Sequence, residues 1–173
     1  KATVDYAHSK GLKFGIYSDA ANNTCAGAFG SYGKETVDAK QYAAWGVDLL
    51  KYDYCHAPSD ADSAQVRYKA MGDALKQSGR DILLYMCEWG AREPWKWGFT
   101  TGSPVWRATY DTRDGWNGKQ GGIGIIQSIA SMKDLWAYSG VNRFNDADMM
   151  CVGIHGTGKS SNDLVVGTPG MTQ

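Results

Sequence analysis

The chain has 173 residues, with eighteen basic and eighteen acidic side chains. That length supports one domain with a substantial core, and the balanced charge leaves no electrostatic footprint for nucleic acid or an anionic membrane. No apolar stretch approaches the ~20 residues of a membrane-spanning helix. Three histidines and four scattered cysteines (Cys25, Cys55, Cys87, Cys151) show no C-x-x-C pairing, so neither a metal nor a cofactor is expected.

The first ten residues read as the end of a helix closed by Gly11. An apolar run follows, Gly11-Leu-Lys-Phe-Gly-Ile-Tyr-Ser-Asp19, which ends on an acid. Glu35 to Trp45 reads as the next helix, and Gly46-Val-Asp-Leu-Leu-Lys-Tyr-Asp53 repeats the glycine-to-acid run. The stretch Ser59-Asp-Ala-Asp-Ser63 supplies an N-terminal cap. Behind it, Ala64, Tyr68, Met71 and Leu75 fall on one face of a third helix. Gly79-Arg-Asp-Ile-Leu-Leu-Tyr-Met-Cys-Glu88 is the third run, and Gly102 to Asp111 is a looser copy. A fourth helix is predicted from about Gly122 to Tyr138, with Ile125, Ile129, Met132 and Trp136 on one face. The last run is Gly140-Val-Asn-Arg-Phe-Asn-Asp-Ala-Asp148.

Short apolar runs alternating with helices are the pattern of buried parallel strands in βα units. Gly11, Gly46 and Gly79 stand 35 and 33 residues apart, an ordinary βα period. A doubly wound sheet would carry a glycine-rich turn after its first strand. The turn here is Asp19-Ala-Ala-Asn-Asn-Thr-Cys. The expected fold is therefore α/β: part of a (β/α)8 TIM barrel, roughly strands 3 to 7, with residues 1–173 forming one partial catalytic domain. The first two strands and the last are expected to lie outside the sequence. Without them the isolated segment is expected to be inert.

Acids at successive strand ends are costly to bury and should face a shared cleft. Lys51 and Asp53 share a strand face, and an ammonium nearby favours the ionised carboxylate that a nucleophile requires. Arg107 and Asp111 share parity two strands later. Carboxylates paired across a cleft suit glycosidic bond cleavage, although a structural ion-pair network also fits the pattern.

Five ordered blocks sharpen the reading. They are His8-Ser-Lys-Gly-Leu-Lys-Phe-Gly-Ile-Tyr-Ser-Asp19 with Thr24-Cys-Ala-Gly27, Leu49-Leu-Lys-Tyr-Asp-Tyr-Cys55, Cys87-Glu-Trp89, Trp106-Arg-Ala-Thr-Tyr-Asp-Thr-Arg-Asp-Gly-Trp116, and Phe144-Asn-Asp-Ala-Asp-Met149. Together they resemble the α-galactosidases (melibiases) of glycoside hydrolase family 27. The resemblance implies a retaining hydrolase of terminal α-D-galactosides, from oligosaccharides or polysaccharides, acting by double displacement. It implies Asp53 as nucleophile and Asp111 as general acid/base, two groups that must hold opposite protonation states. It further implies Tyr17, Lys51, Arg107 and Asp148 as pocket residues, Glu88 and Trp89 beside the sugar C2, and a Cys25–Cys55 disulfide at the pocket. A supporting role is expected for Asp19 and Asp114, and buried free thiols for Cys87 and Cys151.

By the same resemblance, Glu88 is expected to favour a free C2 hydroxyl over an N-acetyl group. The alternatives within the same family are an α-N-acetylgalactosaminidase and a β-L-arabinopyranosidase, and an alternative of another class is a non-catalytic galactoside-binding barrel. The disulfide and the resemblance together imply a secreted, periplasmic or otherwise extracytoplasmic protein.

Overall fold

The structure, a computed structural model, describes residues 1–113, 116–118 and 122–149. The expectations for Asp114 and Cys151 lie outside the described residues. The elements run α1 (Ala2–Ser9), β1 (Gly15–Asp19), α2 (Glu35–Trp45), β2 (Leu49–Asp53), α3 (Ala61–Gln77) and β3 (Leu83–Met86). They continue with α4 (Pro94–Trp97), a 3-10 turn (Gly98–Thr101), β4 (Val105–Arg107), α5 (Ile125–Met132), a second 3-10 turn (Leu135–Tyr138) and β5 (Phe144–Asp146). All strand pairs are parallel, and the strands lie side by side in chain order. A doubly wound sheet reverses its strand order at a switch point. Here the order never reverses, so the sheet advances in one direction, as a barrel wall does.

One face of the sheet is apolar and is covered by the helices. Leu50, Tyr52, Leu84, Met86 and Trp106 are buried in it and pack with Tyr68, Met71 and Trp97 from the helices. Each large side chain so buried contributes roughly 1.5–3 kcal/mol. The predicted face of α3 is the observed one: Ala64, Tyr68, Met71 and Leu75 are all buried. Asp60 caps this helix by accepting the Ser63 N–H at 2.7 Å. Gly72 lets it approach the Gly98–Thr101 turn, since a Cβ there would stand 1.9 Å from the Thr101 carbonyl oxygen.

Two expectations need correction. The fourth helix is half its predicted length and is rotated about its axis. It stops at Met132, and the chain continues as a 3-10 turn. Ile125, Ser128 and Leu135 are buried, whereas Ile129 and Trp136 are 59% and 76% exposed. The cause is polar: Ser128 Oγ donates to the Ala147 carbonyl at 3.1 Å, and Gln127 Oε1 accepts the Gly124 N–H at 2.6 Å. These bonds turn the helix against the simple apolar stripe. The strands also stop early. β3 ends at Met86 and β4 at Arg107, so Glu88, Asp111 and Asp148 stand in the turns beyond rather than on strand ends.

At the N-terminal end of the sheet, Asp48 gathers four partners. It accepts the Phe14 N–H at 2.8 Å and meets His8 Nε2 at 2.7 Å, Arg80 Nη2 at 2.7 Å and Lys13 Nζ at 3.5 Å. Burial pushes this carboxyl up, but the four partners outweigh it and hold the group well below the usual carboxylate range. The cluster ties α1, β2 and the start of β3 together.

Candidate active site

The opposite, C-terminal end of the sheet opens into a cavity of about 410 Å³. Its wall includes nine of the ten residues expected there: Tyr17, Cys25, Lys51, Asp53, Cys55, Trp89, Arg107, Asp111 and Asp148. Glu88 is the exception.

Asp53 closes β2 and is held from two sides. Its Oδ1 accepts the Tyr54 N–H at 3.0 Å, and its Oδ2 accepts the Tyr17 hydroxyl at 2.8 Å. Tyr17 stays a hydroxyl donor, because burial and the adjacent Asp53 push its ionisation well above the usual range. Among the described residues Lys51 makes no salt bridge; its ammonium lies 5.9 Å from the centre of the Tyr85 ring. The lysine and Asp53 share the cavity as the strand parity requires, but Tyr17, not Lys51, touches the carboxylate.

Arg107, buried at the end of β4, organises the other side. One guanidinium nitrogen meets Asp111 Oδ1 at 3.0 Å, and the other meets Asp148 Oδ1 at 2.9 Å. Asp148 also accepts the Thr112 N–H at 2.7 Å. The turn bearing Asp111 is thus pinned at both ends, while the Asp111 carboxyl remains part-exposed to the cavity. Beneath it the Tyr85 hydroxyl donates to Asp146, whose other oxygen accepts the Asp148 N–H at 3.2 Å.

Glu88 is fully buried and turned away from the cavity. Arg92 Nη1 bonds both of its oxygens, at 2.7 and 2.8 Å. The same guanidinium lies 4.6 Å from the Tyr54 ring centre and donates to the Ser59 carbonyl. Burial pushes Glu88 up to about 7, against the pull of Arg92. Its neighbour Trp89 takes its place at the cavity wall. Gly90 makes that turn feasible: its φ is +74°, and a Cβ would lie 2.3 Å from the Ala108 carbonyl oxygen.

Cys25 and Cys55 form a disulfide across the rim. Asp19, Cys25, Asp53 and Cys55 bring four potential ligand atoms within 4.8 Å of one another. With both sulfurs oxidised, this is no thiolate metal site. Cys87 is free and buried, as expected of it, and lines the cavity floor. Asp19 precedes no helix directly, since α2 starts only at Glu35; it is a buried acceptor of backbone N–H groups. Sequence reasoning missed Tyr110, Arg113 and Met149 at the cavity and the Tyr85–Asp146 pair below it. The pair had a signal, because Tyr85 has the strand parity of Cys87. Arg113 had none.

Parallel βα units advancing in one direction, with their polar cavity at the strand C-termini, define a (β/α)8-barrel fold with its site on the usual rim. The family model described as alpha galactosidase A matches residues 1–166. The α-galactosidase A of Cellvibrio japonicus (strain Ueda107) is 43% identical over 158 residues, covering 88% of this chain and 38% of that protein. A candidate α-galactosidase/melibiase from Bacteroides fragilis NCTC 9343 superposes with a TM-score of 0.88 at 48% identity, over 92% of this chain and 34% of its own. The α-galactosidase of Saccharomyces cerevisiae solved with raffinose gives 0.80 at 29% identity, over 92% and 38%. The chain belongs to this α-galactosidase family of glycoside hydrolases, and its sheet is part of the family's barrel. It spans 35–38% of the length of the first three curated relatives it matches.

Proposed function

We propose that this chain carries the catalytic centre of a retaining α-galactosidase. The observation that carries the reading is one cavity with two differently held carboxyls: Asp53, oriented by Tyr17 and a backbone N–H, and Asp111, held by Arg107 two strands away. In the first step Asp53 attacks the anomeric carbon and the glycosidic C–O bond breaks. The leaving oxygen takes the proton of Asp111. In the second step Asp111 removes a proton from water, and the resulting nucleophile releases the sugar from Asp53.

Terminal α-galactose is the preferred sugar. Support comes from the names of the relatives and from the raffinose bound by the yeast enzyme, not from Glu88, whose carboxylate is engaged by Arg92. Small oligosaccharides and galactosylated polysaccharides both present that terminus. An extracytoplasmic setting goes with the Cys25–Cys55 disulfide, because cytosolic thiols stay reduced.

The test is hydrolysis of 4-nitrophenyl α-galactoside by the full-length protein, beside its N-acetylgalactosaminide and β-L-arabinopyranoside counterparts. Galactoside cleavage with the highest kcat/KM is expected. Faster turnover of either counterpart overturns the sugar assignment, and binding without turnover of any would leave a galactoside-binding barrel.

A further inference from the structure

Asp19 has no part in the two-carboxyl scheme, yet it lies against it. It is fully buried and pairs in parallel register with Asp53, and the Ala20 N–H donates to the Asp53 carbonyl at 2.9 Å. The Asp19 side chain then binds both turns that leave these strands. Its Oδ1 accepts the Ala21 N–H and its Oδ2 the Cys55 N–H, each at 3.0 Å. Cys55 follows Asp53 by two residues and is disulfide-bonded to Cys25. One carboxylate therefore fixes the turn behind Asp53.

The second observation is electrostatic. An oxygen of Asp19 and one of Asp53 lie within 4.8 Å of each other. Among the described residues no cation bridges them. Arg67, reaching in from α3, donates to the Ala20 carbonyl at 2.6 Å instead. The other groups facing Asp19 are Tyr17 on its own strand, Tyr52 on β2 and Tyr68 on α3. Burial holds all three as neutral phenols.

We propose that Asp19 is a positioning residue for the same reaction: when ionised, it locks the Cys55 turn and places a second negative charge beside the anomeric carbon. This rests on the assignment of Asp53 as nucleophile. Positive charge develops on the sugar as the glycosidic bond breaks, and a fixed negative charge in a low-dielectric site stabilises it. The same charge disfavours the free Asp53 carboxylate, which loses its charge on attack. The arrangement is costly at rest. Burial pushes Asp19 up to about 7 against its N–H bonds, with Asp53 adding to the rise. Its contribution should therefore switch on as pH rises through neutrality.

The experiment measures formation of the glycosyl-enzyme in the full-length protein between pH 5 and 9, using a 2-deoxy-2-fluoro-α-galactosyl donor with a dinitrophenolate leaving group. That leaving group needs no proton from Asp111, so the profile isolates the attack by Asp53. The wild-type rate constant should rise roughly tenfold through about pH 7, and Asp19→Asn should be slower by ~10–100-fold and flat, with the donor's Ki little changed. A wild-type profile flat across neutrality overturns the proposal whether or not the variant folds. So does an Asp19→Asn profile that keeps the inflection. Thiol titration of the variant reports whether the disulfide has formed. Asp53→Asn separates the two claims: continued trapping in that variant sinks the nucleophile assignment itself. Loss of trapping there, with a flat wild-type profile, sinks only the role of Asp19.

Discussion

The two ends of the sheet treat an aspartate in opposite ways. At the N-terminal end Asp48 is ringed by His8, Lys13, Arg80 and the Phe14 N–H, and its carboxyl is held low. At the C-terminal end Asp19 is bonded, among the described residues, by two backbone N–H groups, and burial, with a second carboxylate nearby, pushes it up to about 7. One end spends its charges on holding elements together. At the other, Arg107 pairs with Asp111 and Asp148, while Asp19 and Asp53 have no salt bridge among the described residues. Barrels divide stability and chemistry between their faces in this way.

The sharpest way to break that contrast is to neutralise one acid at each end. Asp53→Asn should lower kcat by roughly 10⁴-fold or more with little change in melting temperature, whereas Asp48→Asn should leave kcat intact. Near-normal turnover by the first variant would end its assignment. Asp111→Ala should lose about 10²–10⁴-fold on substrates with poor leaving groups and far less on dinitrophenyl galactosides. An equal loss on both substrates would contradict its role as an acid.

On the stability side, Asp48→Asn leaves the Arg80 guanidinium without its carboxylate and disturbs the hydrogen bond with His8. Lys13 is largely exposed and adds little. A cost of about 2–4 kcal/mol is expected by denaturant titration, and a cost under ~0.5 kcal/mol would remove the anchoring role.

The pH dependence of stability sharpens the comparison further. Asp19 and Glu88 are both raised to about 7 by burial, from roughly 4 when unfolded. Their contribution is fully present below about pH 4 and is lost as pH rises through about 7. Asp48 is lowered, so its contribution is present above about pH 4 and lost on further acidification. Calorimetry should find a higher Tm at pH 5 than at pH 8, falling again below about pH 4. A Tm rising steadily to pH 8 would contradict the burial of Asp19 and Glu88. The smallest effect belongs to the exposed side of α5: Trp136→Ser should change stability by less than ~0.5 kcal/mol, against about 2–5 kcal/mol for Met71→Ala in the core.

What could be read from the sequence follows the physics of each signal. Period and turn chemistry located β1, β2 and α3, because apolar spacing and the Asp60 cap are local properties. They also brought Lys51 and Asp53 to one cavity, since strand parity is fixed by the pleat. Where the strands stop was not legible. The ends at Met86 and Arg107 follow from long-range contacts, such as the Gly90 N–H turning back on the Arg107 carbonyl. The direction of Glu88 was hidden for a similar reason. Only in three dimensions does Arg92 bring Tyr54, Ser59 and Glu88 together. The rotation of α5 depends on Ser128 reaching Ala147, 19 residues away, a contact that no helical wheel contains.

The most direct test of the retaining assignment is the anomeric configuration of the first product. Proton NMR during hydrolysis of 4-nitrophenyl α-galactoside by the full-length protein should show α-galactose appearing first, followed by slow mutarotation to the β form. Early β-galactose would mean direct displacement by water and would contradict the nucleophilic role of Asp53.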